Sequence, residues 1–140
     1  MIEQKRYYFD TSIWLDLFEA RNEPKLHKGE FAKKLFERII KENSKIICSE
    51  VIKNEMLELG YSRYEIETLF FPLREIIIYI YSTKKQFGKA KDLSKKRNIP
   101  LFDALHALIA RDNKAVMVTR DRHFDKLLDI TAYKKPEELI

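Results

Sequence analysis

Four acidic residues, Asp10, Glu55, Asp103 and Asp121, carry the chemistry this sequence offers. Asp10 closes the apolar run Tyr7-Tyr8-Phe9 and is followed by the hydroxyl residues Thr11 and Ser12. Glu55 lies midway along the helical pattern after Ile46-Ile47-Cys48, with Glu50 and Glu58 as less constrained neighbours. Asp103 falls in the first turn of an alanine-rich helical pattern that opens after Pro100. Asp121 follows Thr119 by two residues at the end of another apolar run, so both side chains point the same way in an extended chain. Carboxylates gathered at one point raise each other's pKa and ionise together only beside a cation. A donor set of carboxylate oxygens without Cys or His suits a hard ion, Mg2+ or Mn2+. Such ions serve phosphodiester hydrolysis by activating water, orienting the phosphate and stabilising the leaving oxygen. Spacing alone leaves a plainer arrangement open, in which Asp10 and Asp103 cap helices, Asp121 sits in a turn and Glu55 is solvated.

To bring these residues together the chain needs a sheet that gathers strand ends at one edge. Short apolar runs at residues 7–9, 45–48, 74–81 and 115–118 read as strands, with 130–133 as a last edge strand. Between them, helical periodicity runs from residue 13, with Thr11 or Ser12 as cap, and again over 29–43. Further helices are expected after Ser49 as cap, over 63–71 after Ser62, over the basic stretch 82–97, over 101–111, and briefly over 122–128. Strands alternating with amphipathic helices mean an α/β fold, a parallel sheet covered on both faces. Such a sheet places ligands beyond the carboxyl ends of its strands, where all four acids would then meet.

The composition sets the frame. A chain of 140 residues, 45% hydrophobic with only 3 Gly and 4 Pro, reads as one globular domain spanning 1–140. Its longest apolar runs are far too short to cross a membrane, and the opening residues leave no room for a signal peptide. Cys48 is the only cysteine, which fits a reducing cytoplasm and a small core residue. Net charge is +5, from 27 Lys and Arg against 22 Asp and Glu. Residues 82–98 hold seven basic side chains against the single acid Asp92, so one segment carries the excess and hints at an anionic partner.

The ordered succession Phe9-Asp10-Thr11-Ser12, Ser49-Glu50-Val51-Ile52-Lys53-Asn54-Glu55, Ile99-Pro100-Leu101-Phe102-Asp103-Ala104-Leu105-His106-Ala107 and Val118-Thr119-Arg120-Asp121-Arg122-His123-Phe124 resembles the PIN-domain ribonucleases. It is most similar to the compact VapC-type toxins of prokaryotic toxin–antitoxin pairs. The resemblance spans nearly the whole chain, including the ending Pro136-Glu137-Glu138, and residues 63–81 depart from it in being unusually rich in aromatic residues and Ile. It implies a Rossmann-like three-layer fold with a parallel sheet of four or five strands. It implies a catalytic, metal-binding quartet of Asp10, Glu55, Asp103 and Asp121 for Mg2+ or Mn2+, with Thr11, Ser12 and Thr119 in support. It implies an endoribonuclease in the cytoplasm, an RNA substrate, a cognate antitoxin and a homodimer.

Other residues carry alternatives. Lys84, Lys91 and Lys95 roughly share a face of the basic helix, with Phe87 and Leu93 expected to pack inward, and either hold RNA or form a solvated face. Arg120 and Arg122 flank Asp121 as phosphate contacts or as structural ion pairs. His106 lies one helical turn after Asp103, as a helix-surface histidine or a site residue. His123 reads as a rim residue, Asp125 as a solvated or outer ligand, and Trp14, Phe18, Phe31, Phe36, Phe70 and Phe71 as core or dimer contacts. A catalytically silent RNA-binding or protein-interaction module keeps the same fold, but nothing in such a scaffold requires four repelling carboxylates. An aspartyl-nucleophile phosphatase wants a second acid two residues after Asp10, where Ser12 stands.

Overall fold

The computed structural model describes residues 4–140, so the first three residues, on which the absence of a signal peptide partly rested, lie outside the described chain. Strand β1 (Arg6–Phe9) leads into α1 (Thr11–Glu19) and α2 (Lys28–Lys41), then β2 (Lys45–Ser49) into α3 (Glu50–Glu58) and α4 (Arg63–Phe70). Strand β3 (Ile77–Ile80) is followed by α5 (Lys84–Arg97) and α6 (Leu101–Asp112), then β4 (Val116–Val118), a 3-10 turn at Arg122–Leu127 and β5 (Tyr133–Lys134). The five strands form one sheet in the order β3-β2-β1-β4-β5, every pair parallel. This is the expected α/β sheet.

The chain builds outward from β1 to β2 and β3, then crosses back to place β4 on the other side of β1. That reversal makes the ends of β1 and β4 the switch point of the sheet, the place where parallel sheets hold ligands. The Asp10 N–H donates to the Val118 carbonyl at 3.0 Å, so Asp10 and the Thr119–Asp121 segment leave the sheet side by side. β1 occupies the middle because Tyr7, Tyr8 and Phe9 are all buried, as a strand covered on both faces must be.

Trp14, fully buried on α1, packs on Phe9, Phe18 and Phe70, with ring centroids 5.1, 5.6 and 5.0 Å away. These aromatics are core, as is Cys48, whereas Phe71 stands 64% exposed. The corner from α1 to α2 closes on Gly29, whose N–H donates to the Arg21 carbonyl at 2.7 Å. A Cβ there would lie 2.6 Å from the Ala20 carbonyl carbon and 2.7 Å from the Arg21 nitrogen, both rigid backbone. Gly29→Ala is therefore expected to cost about 1–3 kcal/mol by forcing the two helices apart. Thermal unfolding should show a Tm about 4–10 °C lower; an unchanged Tm would mean that the corner yields freely.

Several boundaries differ from the sequence reading for local reasons. Neither Thr11 nor Ser12 caps α1, because the helix already begins at Thr11 with Asp10 in the cap position, and Ser49 makes no cap bond to α3. The basic helix starts two residues later than expected, because Thr83 and Gln86 form a reciprocal capping box. Ser82 is held instead by Glu50, which accepts its N–H at 2.7 Å and its hydroxyl at 2.9 Å. β3 loses residues 74–76 to a turn in which the Arg74 and Ile76 N–H groups donate to Phe71 and Leu73. β5 lies at residues 133–134 and not 130–133, because the Ile130 and Thr131 N–H groups both close on the Leu127 carbonyl. The tail is docked: Pro136 is buried, and Glu137 meets the Arg120 guanidinium at 2.8 Å through both oxygens.

Candidate metal centre

Asp10 lies at the carboxyl end of β1 and is 7% exposed. Its side chain does not cap α1; Oδ2 accepts the Thr119 hydroxyl at 2.8 Å and the Ser12 hydroxyl at 3.3 Å. Thr119, fully buried at the end of β4, also accepts the Asp121 N–H at 3.0 Å. One hydroxyl therefore ties the first acid to the backbone of the fourth. Asp121 begins the 3-10 turn, its Oδ1 accepting the His123 N–H at 2.9 Å. That turn swings the His123 imidazole back, so Nδ1 stands 3.0 Å from Asp121 Oδ1 and 3.2 Å from Asp103 Oδ2. One donor atom from each of Asp103, Asp121 and His123 lies within 4.8 Å of the other two.

Glu55 approaches from α3 and belongs to a second, drier network. Its Oε1 accepts the Thr11 hydroxyl at 3.0 Å and also meets His106 Nε2 in a close contact. His106 is completely buried, and its Nδ1 lies 2.6 Å from the Tyr8 hydroxyl, which in turn lies 2.9 Å from Ser49 Oγ. An ionised carboxylate only accepts, so Nε2 is the nitrogen that carries a proton toward Glu55. Both contacts use the same oxygen, so Oε2 has neither Thr11 nor His106 as partner.

The structure thus brings Asp103 and Asp121 into one tight group, joins Asp10 to it through Thr119, and sets Glu55 beside Asp10 in a network of its own. Thr11 and Thr119 support Glu55 and Asp10 respectively, and Ser12 supports Asp10. His106 is not a helix-surface residue, since Tyr8 and Glu55 enclose it from two other elements. Asp125 is engaged elsewhere, accepting the Tyr133 hydroxyl at 2.6 Å. Arg120 is committed to the tail through Glu137, with 14% of its side chain exposed, and is no free phosphate contact. Arg122 is exposed, as are Lys84, Lys91 and Lys95. Phe87 is not packed inward as expected but stands 37% exposed with the Lys91 ammonium 4.8 Å from its ring centre. The sequence reading left His123 at the rim, and only the geometry of the turn after Asp121 brings it between two carboxylates.

Burial, reinforced by the charges of Asp121 and Asp10, pushes the Asp103 carboxyl from its ordinary 3.8 up to about 7. Burial likewise raises Asp10, against the opposing pull of His106 and the Thr119 hydroxyl. For His106, burial works downward, but the Glu55 hydrogen bond and the Glu55, Asp10 and Asp103 charges outweigh it and hold the imidazole above its ordinary range. Asp103 and Asp10 need positive charge beside them to ionise readily, since burial and mutual repulsion favour their protonated forms. A small divalent ion answers that need with oxygen donors already gathered, so the residues fit such a group.

A PIN domain model matches residues 7–128. The chain belongs to the PIN domain family. Solved structures share the fold of this PIN domain. A chain of a toxin–antitoxin complex from Klebsiella pneumoniae aligns with a TM-score of 0.63 at 20% identity, covering 93% of this chain and 97% of that one. A chain of VapBC2 from Rickettsia felis, bound to a DNA fragment from its promoter, gives 0.66 at 17% identity over 93% and 98%. A protein of Pyrobaculum aerophilum gives 0.57 at 16% identity over 98% and 95%. No curated protein matches the chain by sequence. Among the described residues, no helix is long and apolar enough to cross a membrane.

Proposed function

We propose that this PIN domain is a divalent-metal-dependent endoribonuclease and the toxin of a toxin–antitoxin pair. The observation that carries the reading is the junction of Asp10, through the Thr119 hydroxyl, with the Asp103–Asp121 group at the point where the strand order reverses. Asp10, Asp103 and Asp121 would hold Mg2+ or Mn2+, with Glu55 as the fourth acid of the quartet. A bound ion of this kind supplies Lewis acidity toward a phosphate oxygen and lowers the pKa of water. The chain's own part is placement. Thr119 and Ser12 fix the Asp10 carboxylate, and Thr11 and His106 fix Glu55 so that its free oxygen faces one way.

Cleavage of a mixed RNA pool by the purified protein tests this reading. Products should form with Mg2+ or Mn2+, vanish in EDTA, and fall at least about a hundredfold for Asp10→Asn, about 2.7 kcal/mol of transition-state stabilisation. Expressed without a partner protein, the chain should slow growth, and Asp10→Asn should relieve that. Full cleavage in EDTA would remove the metal from the mechanism, and equal toxicity of the variant would point to a binding module. The toxin reading draws support from structural neighbours solved as toxin–antitoxin complexes, and it brings a cognate antitoxin and a homodimer as proposed partners.

RNA would be held by basic residues outside the acidic cluster. Gln86 donates to Asp112 at 2.9 Å at one end of α5, and Arg97 grips Asp129 beyond the 3-10 turn at the other. Helix α5 therefore runs antiparallel to α6, and its carboxyl end lies on the side of Asp103. Lys95 stands at that end, with Lys84 about 16 Å further away at 1.5 Å per residue. Replacing Lys84, Lys91 and Lys95 together with Gln should weaken RNA binding and flatten its salt slope by up to about two units, at about 0.7 per phosphate contact. Most of the loss should come from Lys95, with turnover at saturating RNA nearly unchanged. A wild-type salt slope would leave the helix a solvated face.

A further inference from the structure

We infer that His123 is itself a metal ligand, a nitrogen donor beside Asp103 and Asp121 that makes the centre prefer Mn2+ to Mg2+. This rests on the metal-centre reading above and specifies it. Three observations carry it. First, His123 Nδ1 lies 3.0 Å from Asp121 Oδ1 and 3.2 Å from Asp103 Oδ2. Neighbouring corners of an octahedron around an ion with bonds of about 2.1 Å are about 3.0 Å apart. His123 Nδ1 stands near that spacing from each carboxylate, and the three donor atoms all lie within 4.8 Å of one another.

Second, the imidazole is held there by the chain. The Asp121 carboxylate accepts the His123 N–H at 2.9 Å, and the Asp121 N–H donates to Thr119 at 3.0 Å. The next residue, Phe124, is fully buried and anchors the turn from below. The ring is set by this backbone arrangement rather than by a long, free side chain. Third, half of the His123 side chain remains exposed, at 51%, while 13% of Asp103 does. Water and a phosphate oxygen can therefore reach the remaining positions of the ion from the His123 side.

The donor chemistry then sets the preference. Mg2+ dehydrates reluctantly and takes oxygen ligands almost alone. Imidazole nitrogen favours first-row transition ions, among which Mn2+ is the hardest and the one best matched to two carboxylates as well. An all-carboxylate centre would separate the two ions far less.

The experiment is Mn2+ binding to the purified, metal-stripped chain, followed by calorimetry and by pulsed electron paramagnetic resonance. Wild-type protein loaded with Mn2+ should show the modulation of a directly bound imidazole 14N, and His123→Ala should lose it. The same variant should bind Mn2+ about tenfold more weakly, with Mg2+ affinity changed less than about twofold. His106, the other histidine near the centre, remains in the variant, so loss of the signal assigns it to His123. Bound Mn2+ without nitrogen modulation in the wild type would overturn the inference while leaving the carboxylate centre standing. So would equal weakening of both ions in His123→Ala. Failure of the wild type to bind either ion would overturn the metal centre and the ligand together.

Discussion

Asp103→Asn is expected to lose at least about a hundredfold in RNA cleavage while making the metal-free protein harder to unfold at pH 8. The two effects share one origin. The Asp103 carboxyl is raised to about 7, first by burial and then by Asp121 and Asp10. An acid raised on folding binds more protons folded than unfolded between its two pKa values, so stability falls as pH climbs from about 4 to 7. The raised Asp10 acts in the same sense. So does His106, whose contribution is full below its unfolded pKa and is lost as pH rises through the higher folded value. The metal-free wild type should therefore unfold at a lower temperature at pH 8 than at pH 5. Saturating Mn2+ should flatten that dependence, because the ion takes over the neutralising role of the protons. The amide of Asp103→Asn removes one repelling charge, worth on the order of 1–2 kcal/mol at such separations, which raises Tm by about 4–8 °C at pH 8. It also removes an ionic ligand, hence the loss of cleavage. Melting curves of both proteins from pH 5 to 8, with and without Mn2+, read the first effect, and RNA cleavage reads the second. A variant that is destabilised at pH 8 would mean that Asp103 is no repelling member of the cluster.

What the sequence could tell of this site followed from short-range rules. The strand–acid–hydroxyl pattern at Phe9-Asp10-Thr11 and the Thr119-x-Asp121 spacing are local, and a parallel sheet turns each into a position at one edge. The order β3-β2-β1-β4-β5 is not local, and the pairing of β1 with both β2 and β4 is what makes that edge one place. The role of His106 was out of reach for a similar reason. One turn after Asp103 it lies on a helix flank, and nothing in its neighbours tells that Tyr8 and Glu55, from β1 and α3, close over that flank. His123 depended on a single turn. An ordinary α-helix over 122–128 would send its imidazole elsewhere, whereas the tighter 3-10 turn capped by Asp121 folds it back. Of the two alternatives for Arg120, the ion pair holds, but its partner Glu137 sits in the tail, seventeen residues away, and no periodicity links the two.

His106→Phe is expected to be the most damaging single change outside the carboxylates. Phenylalanine fills the space beside Tyr8, whose ring centre lies 5.5 Å from that of His106, so packing is largely kept and the polar contacts alone are removed. The Tyr8 hydroxyl, fully buried, would keep only Ser49, and Glu55 Oε1 would keep only Thr11. Leaving a buried hydroxyl short of a partner costs about 1–3 kcal/mol, and a carboxylate that loses its donor costs more. A loss of about 3 kcal/mol in total lowers Tm by about 10 °C. Activity should fall about ten- to a hundredfold, because a ligand that has lost its orienting partner wanders. His106→Gln separates the two consequences. Its amide nitrogen reaches the position of Nε2 and can still donate to Glu55, but it leaves the Tyr8 hydroxyl unserved. Gln should therefore recover most of the cleavage and only part of the stability. A merely structural histidine would behave otherwise, with cleavage at a temperature well below both melting points unaffected in either variant. If His106→Phe cleaves RNA like the wild type under that condition, Glu55 does not depend on His106 for its position.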